Sequence, residues 1–380
     1  MTDQQPDVFE RAKASFLDGL ASFQAGRFGD AERHYRASLE RLPGRASTLI
    51  NLAATQLRLG RAQDALASAD AALRAEADSV DALLHRGTAL AQLGRADEAL
   101  AAFQRLLAAE PTHAAAWSFS GSLLREMHRP ADAAQAYREA LRHGAEPSLN
   151  GYYLASVTTT DVPPTAPAAY VEALFDGYAD EFDAHLVGQL HYDAHRRLVD
   201  TLTAAAGGPY RSALDLGCGT GLCGPLVRSI AQRLTGVDLS ARMLERARAL
   251  GVYDRLECAD IAAHLQHTDA QHDLVLAADV FIYVGDLARV FAGVRRVMAS
   301  GVFCFSVESL APGDGGGAGF RLLPSLRYAH ATDYILRLAD AHGFSPISLV
   351  PGPVREEQRT AIDGLYVCLR RTGTLNARPQ

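Results

Sequence analysis

Leu214-Asp215-Leu216-Gly217-Cys218-Gly219-Thr220-Gly221 is the stretch that decides the reading of this 380-residue chain. An apolar run, SALDL, leads into it, and amphipathic text follows. Glycines at alternate positions let a backbone turn approach a ligand closely, and the N-terminus of a following helix favours negative groups. The turn alone does not name its ligand. A dinucleotide fingerprint needs glycine at the sixth position, which counted from Gly217 is Leu222. A triphosphate loop would need Gly-Lys-Ser/Thr, which does not occur.

Outward from the turn, short apolar runs alternate with helical patterns: SALDL, LTGVDL, RLECADI, DLVLAADV, GVFCFSVE, ISLV and LYVCLR. That alternation predicts an α/β layer around a mostly parallel sheet. Acids fall at successive strand ends. Asp215 precedes the turn, and Asp238 follows Gly217 by 21 residues, where a carboxylate can accept both ribose hydroxyls. Asp260 ends the third run, suited to accept from an adenine amino group, and Asp279 ends the fourth. Taken singly, Asp238 and Asp260 read as helix caps or loop surface; taken together after this turn, they read as a nucleoside site.

The set resembles the class I S-adenosylmethionine-dependent methyltransferases over roughly residues 170–371. The resemblance implies a Rossmann-like, seven-stranded sheet with a reversed final strand, which suits DGLYVCLRR at 363–371, and S-adenosyl-L-methionine as the cofactor. It implies that Gly217, Gly219 and Gly221 line the methionine moiety, with Asp215 near its amino group. Asp238 would hold the ribose, and Asp260 with Ile261 would flank the adenine. Leu239 and Asp279 are counted with them on the donor. FDGYADEFDAHL at 175–186 is similar to a segment that caps the donor in a bacterial subfamily, where Tyr178 would reach its carboxylate. RYAHATDYI at 327–335 is similar to the same subfamily, some of whose members carry N-terminal tetratricopeptide repeats.

The first half has a period of 34 residues. That shift aligns Gly26, Gly60, Gly94 and His128; Gly19, Ala53, Gly87 and Gly121; Ala31, Ala65, Ala99 and Ala133; and Tyr35, Ala69, Phe103 and Tyr137. Apolar spacing of three and four predicts paired amphipathic helices, small residues let them approach, and Pro43 and Pro111 end two of them. The pattern resembles the tetratricopeptide repeat family and is best kept in the fourth copy, with Trp117, Gly121, Ala133 and Tyr137. Ala69 in place of an aromatic and His128 in place of glycine depart from it.

The expected organisation is an all-α solenoid over 1–157, then an α/β domain. The repeats fall at 12–45, 46–79, 80–113 and 114–147, with a capping helix at 148–157. TTTDVPPTAP at 158–167 reads as a stiff, exposed connector, and 168–380 as the methyltransferase domain. The resemblance places Phe16, Leu20, Phe23, Ile50, Leu57 and Leu84 on a concave, apolar face. That face takes a protein or peptide, or packs against this chain or a second copy of it.

Methyl transfer from a sulfonium is an in-line displacement in which the protein mainly aligns the reactants. A base is needed only where the acceptor keeps its proton near neutral pH. The text after the fourth run, Ala278-Asp279-Val280-Phe281-Ile282, lacks the motif of amino-methylating DNA enzymes. Pro-Cys is missing, against a cytosine-5 enzyme, and Asp279-Val280 does not match metal-dependent catechol enzymes. Acceptor-side candidates are Tyr283, Glu308, Arg327, Tyr328 and His330. His330 reads equally as a base or as a structural histidine, and Arg327 as a carboxylate partner or a surface ion pair. His191 and His195 read as a solvated face, as do His264, His267 and His272, so no metal site is expected. PGDGGGAG at 312–319 reads as a loop over the acceptor.

The chain carries 37 basic and 44 acidic residues, a net charge of −7, which argues against nucleic acid as the main partner. No apolar run is long enough to span a bilayer, so no membrane association is expected, and the polar N-terminal text does not read as a secretory leader. Five cysteines without a CxxC pair suit a reducing cytoplasm. Three functions follow: a methyltransferase whose repeats recruit a protein or peptide, a small-molecule methyltransferase whose repeats dimerise or dock a carrier, and a scaffold that only senses the donor.

Overall fold

The computed structural model describes residues 4–178, 193–311, 313–314, 316–357 and 360–372. It divides into two compact units, Met1–Thr158 and Thr159–Gln380.

The first unit is a row of helical hairpins. Helices α1 (Gln4–Gln24) to α8 (Pro130–Arg142) pair as α1/α2 (Phe28–Arg41), α3 (Ala46–Arg58)/α4 (Ala62–Ala75), α5 (Val80–Gln92)/α6 (Ala96–Ala109) and α7 (Ala114–Glu126)/α8, and α9 (Pro147–Thr158) follows. The pairing rests on a size rule. A Cβ on Gly19 would lie 2.6 Å from the Tyr35 ring, on Gly87 2.5 Å from Phe103, and on Gly121 2.7 Å from Tyr137. Three of the four hairpins therefore close by setting an aromatic against a glycine 16 residues earlier. The second copy meets the same space with Ala53 against Ala69, both fully buried. The departure at Ala69 is thus matched inside its own repeat.

The turns between paired helices need a left-handed residue, which Gly26, Gly60 and Gly94 supply at φ 73°, 72° and 71°. His128 takes the same conformation at φ 56°, and its side chain is exposed. The six residues expected on an apolar groove are half-buried. Phe16 and Phe23 pack against Tyr35 and Leu52, Leu57 and Leu84 against the central core, and Ile50 against Leu49 and Ala82. Five of the six are thus partly engaged in the unit's own packing, and all six keep part of their surface accessible.

The second unit is a twisted sheet with helices on both faces. Strands β1 (Ala213–Leu216), β2 (Leu234–Asp238), β3 (Arg255–Cys258), β4 (Leu274–Ala277) and β5 (Gly301–Ser309) are parallel in the order β3-β2-β1-β4-β5. β9 (Thr360–Arg371) runs antiparallel against β5 and against β8 (Ser345–Glu357). The sheet has nine strands among the described residues, not seven. The two beyond the expected set are β6 (Phe320–Leu322) and β7 (Tyr328–His330), an antiparallel hairpin. β4 pairs with β5 up to Phe305, and β7 takes over at Glu308 and Ser309. The hairpin therefore extends the sheet past the carboxyl end of β4.

The pleat sorts the core. On β5, Phe303, Phe305 and Val307 enter one layer with Phe281 and Phe291, while Val302 and Cys304 enter the other with Leu198 and Val227. Flanking helices are α10 (Ala168–Tyr178), α11 (Ala194–Ala206), α12 (Gly224–Arg228), α13 (Ala241–Ala249), α14 (Ile261–His267), α15 (Ala288–Val297) and α16 (Thr332–Ala341).

The connector is not a free, exposed spacer. Its second half is held within the second unit: Ala166 is buried, and Pro164 carbonyl oxygen accepts from the Gly285 and Asp286 amides at 2.9 Å each.

His128→Gly relieves a left-handed residue whose side chain is exposed. It should stabilise the repeat unit by about 1 kcal/mol, read as a higher urea midpoint at unchanged slope.

Candidate functional site

A cavity of 710 Å³ opens at the carboxyl ends of the parallel strands, where the fold geometry collects side chains from successive loops. The turn after β1 forms its floor. Gly217 has φ 62°, and a Cβ there would lie 2.5 Å from Val280, so only glycine fits between the turn and the segment after β4. Gly219, at φ 54°, faces open space and lines the cavity. Gly221 does not line it. Its Cβ position faces Leu250 at 2.8 Å and Tyr253 at 3.1 Å, so this glycine serves packing, which corrects its expected place beside the ligand.

Asp215, Asp238, Leu239, Asp260, Ile261 and Asp279 all line the cavity, as the spacing of the strand ends requires. Asp215 alternates with Leu214 and Leu216, so the pleat turns its carboxylate into the layer that holds Tyr253. The Tyr253 hydroxyl donates to Asp215 Oδ2 at 2.7 Å. Burial pushes the Asp215 carboxyl up to about 7, against that hydrogen bond. Tyr253 carries no motif, and only its aromatic type just before β3 could have marked it.

Asp238 ties the first two strand ends together. Its Oδ2 accepts from the Gly219 amide at 2.8 Å and its Oδ1 from the Ser240 amide at 2.9 Å. Burial raises its pKa while these backbone donors oppose the rise. Each carboxylate oxygen keeps a further lone pair for a ligand donor. Asp260 is both a cap and a cavity residue: Oδ1 accepts from the Ala263 amide at 2.9 Å, which fixes the start of α14. Ser240 caps α13 and donates to Asp176 Oδ1 at 2.5 Å, which docks α10 over this end of the cavity. Val171, Leu174 and Phe175 of that helix line it. The side chain of Tyr178 lies outside the described residues, as do residues 179–186 of the expected capping segment.

The β4 end is different in character. Asp279 holds φ 58°, its amide donates to Ser306 Oγ at 2.8 Å, and its Oδ1 accepts from Arg355 Nη1 at 3.3 Å. Arg355 also donates to Glu308 and lines the cavity. It lies on β8, where no sequence signal marked it. Tyr283 and Arg327 line the cavity too, and burial pushes the Tyr283 hydroxyl up to about 12 against the neighbouring guanidinium of Arg327.

The remaining acceptor-side candidates do not reach the cavity. Glu308 lies within β5, is 3% exposed and pairs with Arg355. The Tyr328 hydroxyl donates to the Pro163 carbonyl oxygen at 2.7 Å. His330 is 1% exposed, and its Nε2 lies 2.9 Å from the Val284 and 3.1 Å from the Gly285 carbonyl oxygen, so the ring must donate there. Burial lowers its pKa to about 4, which leaves it a neutral structural histidine. Of the other histidines, His267 is exposed, as expected, but three are not part of a solvated face. His195 is buried and lines the cavity, His264 is buried beside Glu257, and His272 is buried beside Ser212. His191, Pro312 and Gly315 lie outside the described residues. Among the described residues no cluster of metal-ligating side chains occurs.

A family model described as a methyltransferase domain matches residues 214–306, and one described as a tetratricopeptide repeat matches 50–114 and 89–150. A malonyl-[acyl-carrier protein] O-methyltransferase of Salmonella typhimurium is 30% identical over 188 residues, which cover 49% of this chain and 67% of that protein. Human methyltransferase-like protein 27 is 41% identical over 106 residues, 27% of this chain and 43% of that protein. The chain spans about half the length of the first curated relatives it matches. Among solved structures, a magnesium protoporphyrin IX methyltransferase of Synechocystis with bound SAH is 18% identical at a TM-score of 0.42, over 54% of this chain and 99% of that one.

Asp215 has a higher pKa folded than unfolded, so the folded protein holds its proton longer. Its effect on stability worsens as pH rises from about 4 to about 7 and is constant above. Asp215→Asn should therefore raise the melting temperature, by a margin that grows over that window and then levels off in melts taken across pH.

Proposed function

The chain belongs to the S-adenosylmethionine-dependent methyltransferases of class I, with tetratricopeptide repeats ahead of the methyltransferase domain, and on that premise we propose that it transfers a methyl group to a protein or peptide recruited by the repeats. The observation that carries the proposal is the convergence of Asp215, Asp238 and Asp260 on one cavity around Gly217 and Gly219.

The residues fit the donor's chemistry. The donor has a cationic amino group, a ribose diol and an adenine amino group, all hydrogen-bond donors. The three carboxylates accept, at the ends of three adjacent strands. Gly219 leaves space where any side chain would intrude. When bound, S-adenosylmethionine supplies an activated methyl for in-line displacement. In this assignment Asp215 holds the ammonium, Asp238 the ribose, and Asp260 with Ile261 the adenine. The protein's part is then to align and to exclude water, the latter by α10 and the apolar side chains it brings. On the far side, Tyr283 is a hydroxyl donor, not a base, because burial holds its proton. Asp279, Arg327 and Arg355 are further polar side chains of that wall.

A second reading is favoured by the malonyl-[acyl-carrier protein] O-methyltransferases among the relatives: a small acid presented on a carrier protein that the repeats dock. Both readings place the protein in the cytoplasm, in keeping with its free cysteines. Tritiated S-adenosylmethionine, supplied to the full chain with an extract of its source, separates the two. Label in precipitated polypeptide that survives thioester cleavage supports the first reading, and label released by that cleavage supports the second.

Donor binding has its own tests. Asp238→Ala removes a charged acceptor and should weaken S-adenosylhomocysteine binding by about tenfold or more in calorimetry; unchanged affinity overturns the site assignment. Asp215 is protonated in the free protein below its raised pKa of about 7, and an ammonium partner would ionise it. Binding at pH 6 should therefore release close to one proton, seen as a dependence of the binding heat on buffer, and Asp215→Asn should abolish it.

A further inference from the structure

Residues 163–166 read as a spacer in the sequence, yet they are bonded into the second unit along their whole length. The Pro163 carbonyl accepts from the Tyr328 hydroxyl at 2.7 Å, and the Pro164 carbonyl accepts from the Gly285 and Asp286 amides at 2.9 Å each. Thr165 forms an antiparallel bridge with Val284, and its hydroxyl donates to the Tyr283 carbonyl at 3.1 Å. The Ala166 amide donates to the same carbonyl at 2.9 Å. Ala166 is 4% exposed, and both it and Thr165 line the cavity beside Tyr283 and Val284.

The opposite side of the 283–286 segment is clamped by the β6–β7 hairpin. His330 donates to the Val284 and Gly285 carbonyls, and a Cβ on Gly285 would lie 2.6 Å from the Tyr328 ring. Tyr328 thus touches both the segment and the strap that crosses it. The two strands in excess of seven have a use: they hold this assembly against the cavity.

We propose that residues 163–166 are a built wall of the methyl-acceptor end of the cavity, latched by Tyr328, and that Ala166 limits which acceptor fits. The position follows from strand order. The donor carboxylates belong to β1, β2 and β3, whereas the strap lies on the segment after β4, on the other side of β1. Among the cavity's other lining residues, Val171, Phe175, Ile282 and Val284 are apolar, while Tyr283 and Arg327 are polar. The acceptor that fits presents an apolar group beside Ala166, with Tyr283 and Arg327 left for its polar atoms. Only the functional arm of the test rests on the transferase reading.

The test uses the full chain carrying Ala166→Leu, the smaller step Ala166→Val, Tyr328→Phe, or Pro167→Ala as a neighbour outside the cavity wall. S-adenosylhomocysteine affinity is read by calorimetry, methyl transfer by tritium from S-adenosylmethionine into the source extract, and strap seating by hydrogen exchange. Ala166→Leu should cut transfer by about tenfold or more, Ala166→Val by less, with affinity within about twofold and Pro167→Ala like wild type. Tyr328→Phe should speed exchange at Ala166, Gly285 and Asp286 together, by up to about tenfold for one lost hydrogen bond, and leave Gly219 unchanged. Transfer by Ala166→Leu at the wild-type rate, or affinity that falls in step with transfer in both Ala166 variants, overturns the acceptor-end assignment. Exchange that speeds in one segment without the other overturns the latch. A wild-type chain that binds S-adenosylhomocysteine but transfers no label counts against the transferase reading and with it the acceptor-end assignment, and the Tyr328 latch is then decided by exchange.

Discussion

The site depends on one carboxylate that works twice. Asp238 accepts from the Gly219 amide and from the Ser240 amide, so it fixes the turn after β1 and the exit from β2 to each other. A turn of glycines has little conformational preference of its own, and a single neighbour with two acceptor oxygens removes that freedom. Ser240 then caps α13 and reaches Asp176, which seats α10. The floor, one wall and the cover of the cavity are therefore linked through a few polar atoms at the end of one strand. The low exposure of this cluster makes each bond strong and each loss costly.

That economy explains the division of labour along the sheet edge. Over β1 to β3 the polar groups are acceptors, in register with the strand ends. Past β4 they form an ion network, Asp279–Arg355–Glu308, two of whose members, Asp279 and Arg355, also line the cavity. Such a network holds the strained Asp279 backbone in place and leaves the chemistry to whichever groups face outward.

The legible part of the sequence was the part set by local rules. The period of 34 residues, the apolar runs and the acids at strand ends all act within a few residues of where they are written. What stayed hidden was set by partners far along the chain. Arg355 meets Asp279 across 76 residues, and Tyr328 meets Pro163 across 165. Glu308, Tyr328 and His330 read as acceptor-side residues, but Glu308 is taken by Arg355 on β8, and the β6–β7 hairpin spends Tyr328 and His330 on backbone carbonyls. Gly221 misled in the opposite way: its spacing matched a ligand turn, while its neighbours Leu250 and Tyr253 lie on the next β–α unit. The connector looked exposed because prolines forbid helix, yet proline carbonyls are free to accept, and all three of them do.

The paired sizes within each helical hairpin have a consequence for sequence change. Three copies set an aromatic against a glycine, and one sets alanine against alanine. Neither member can move between these solutions alone without a clash on one path or a void on the other. The two positions of a copy must drift as a unit. Across a collection of such chains, positions 16 residues apart should show linked inheritance, with the two-alanine form marking lineages that passed through the hollow intermediate and not the crowded one.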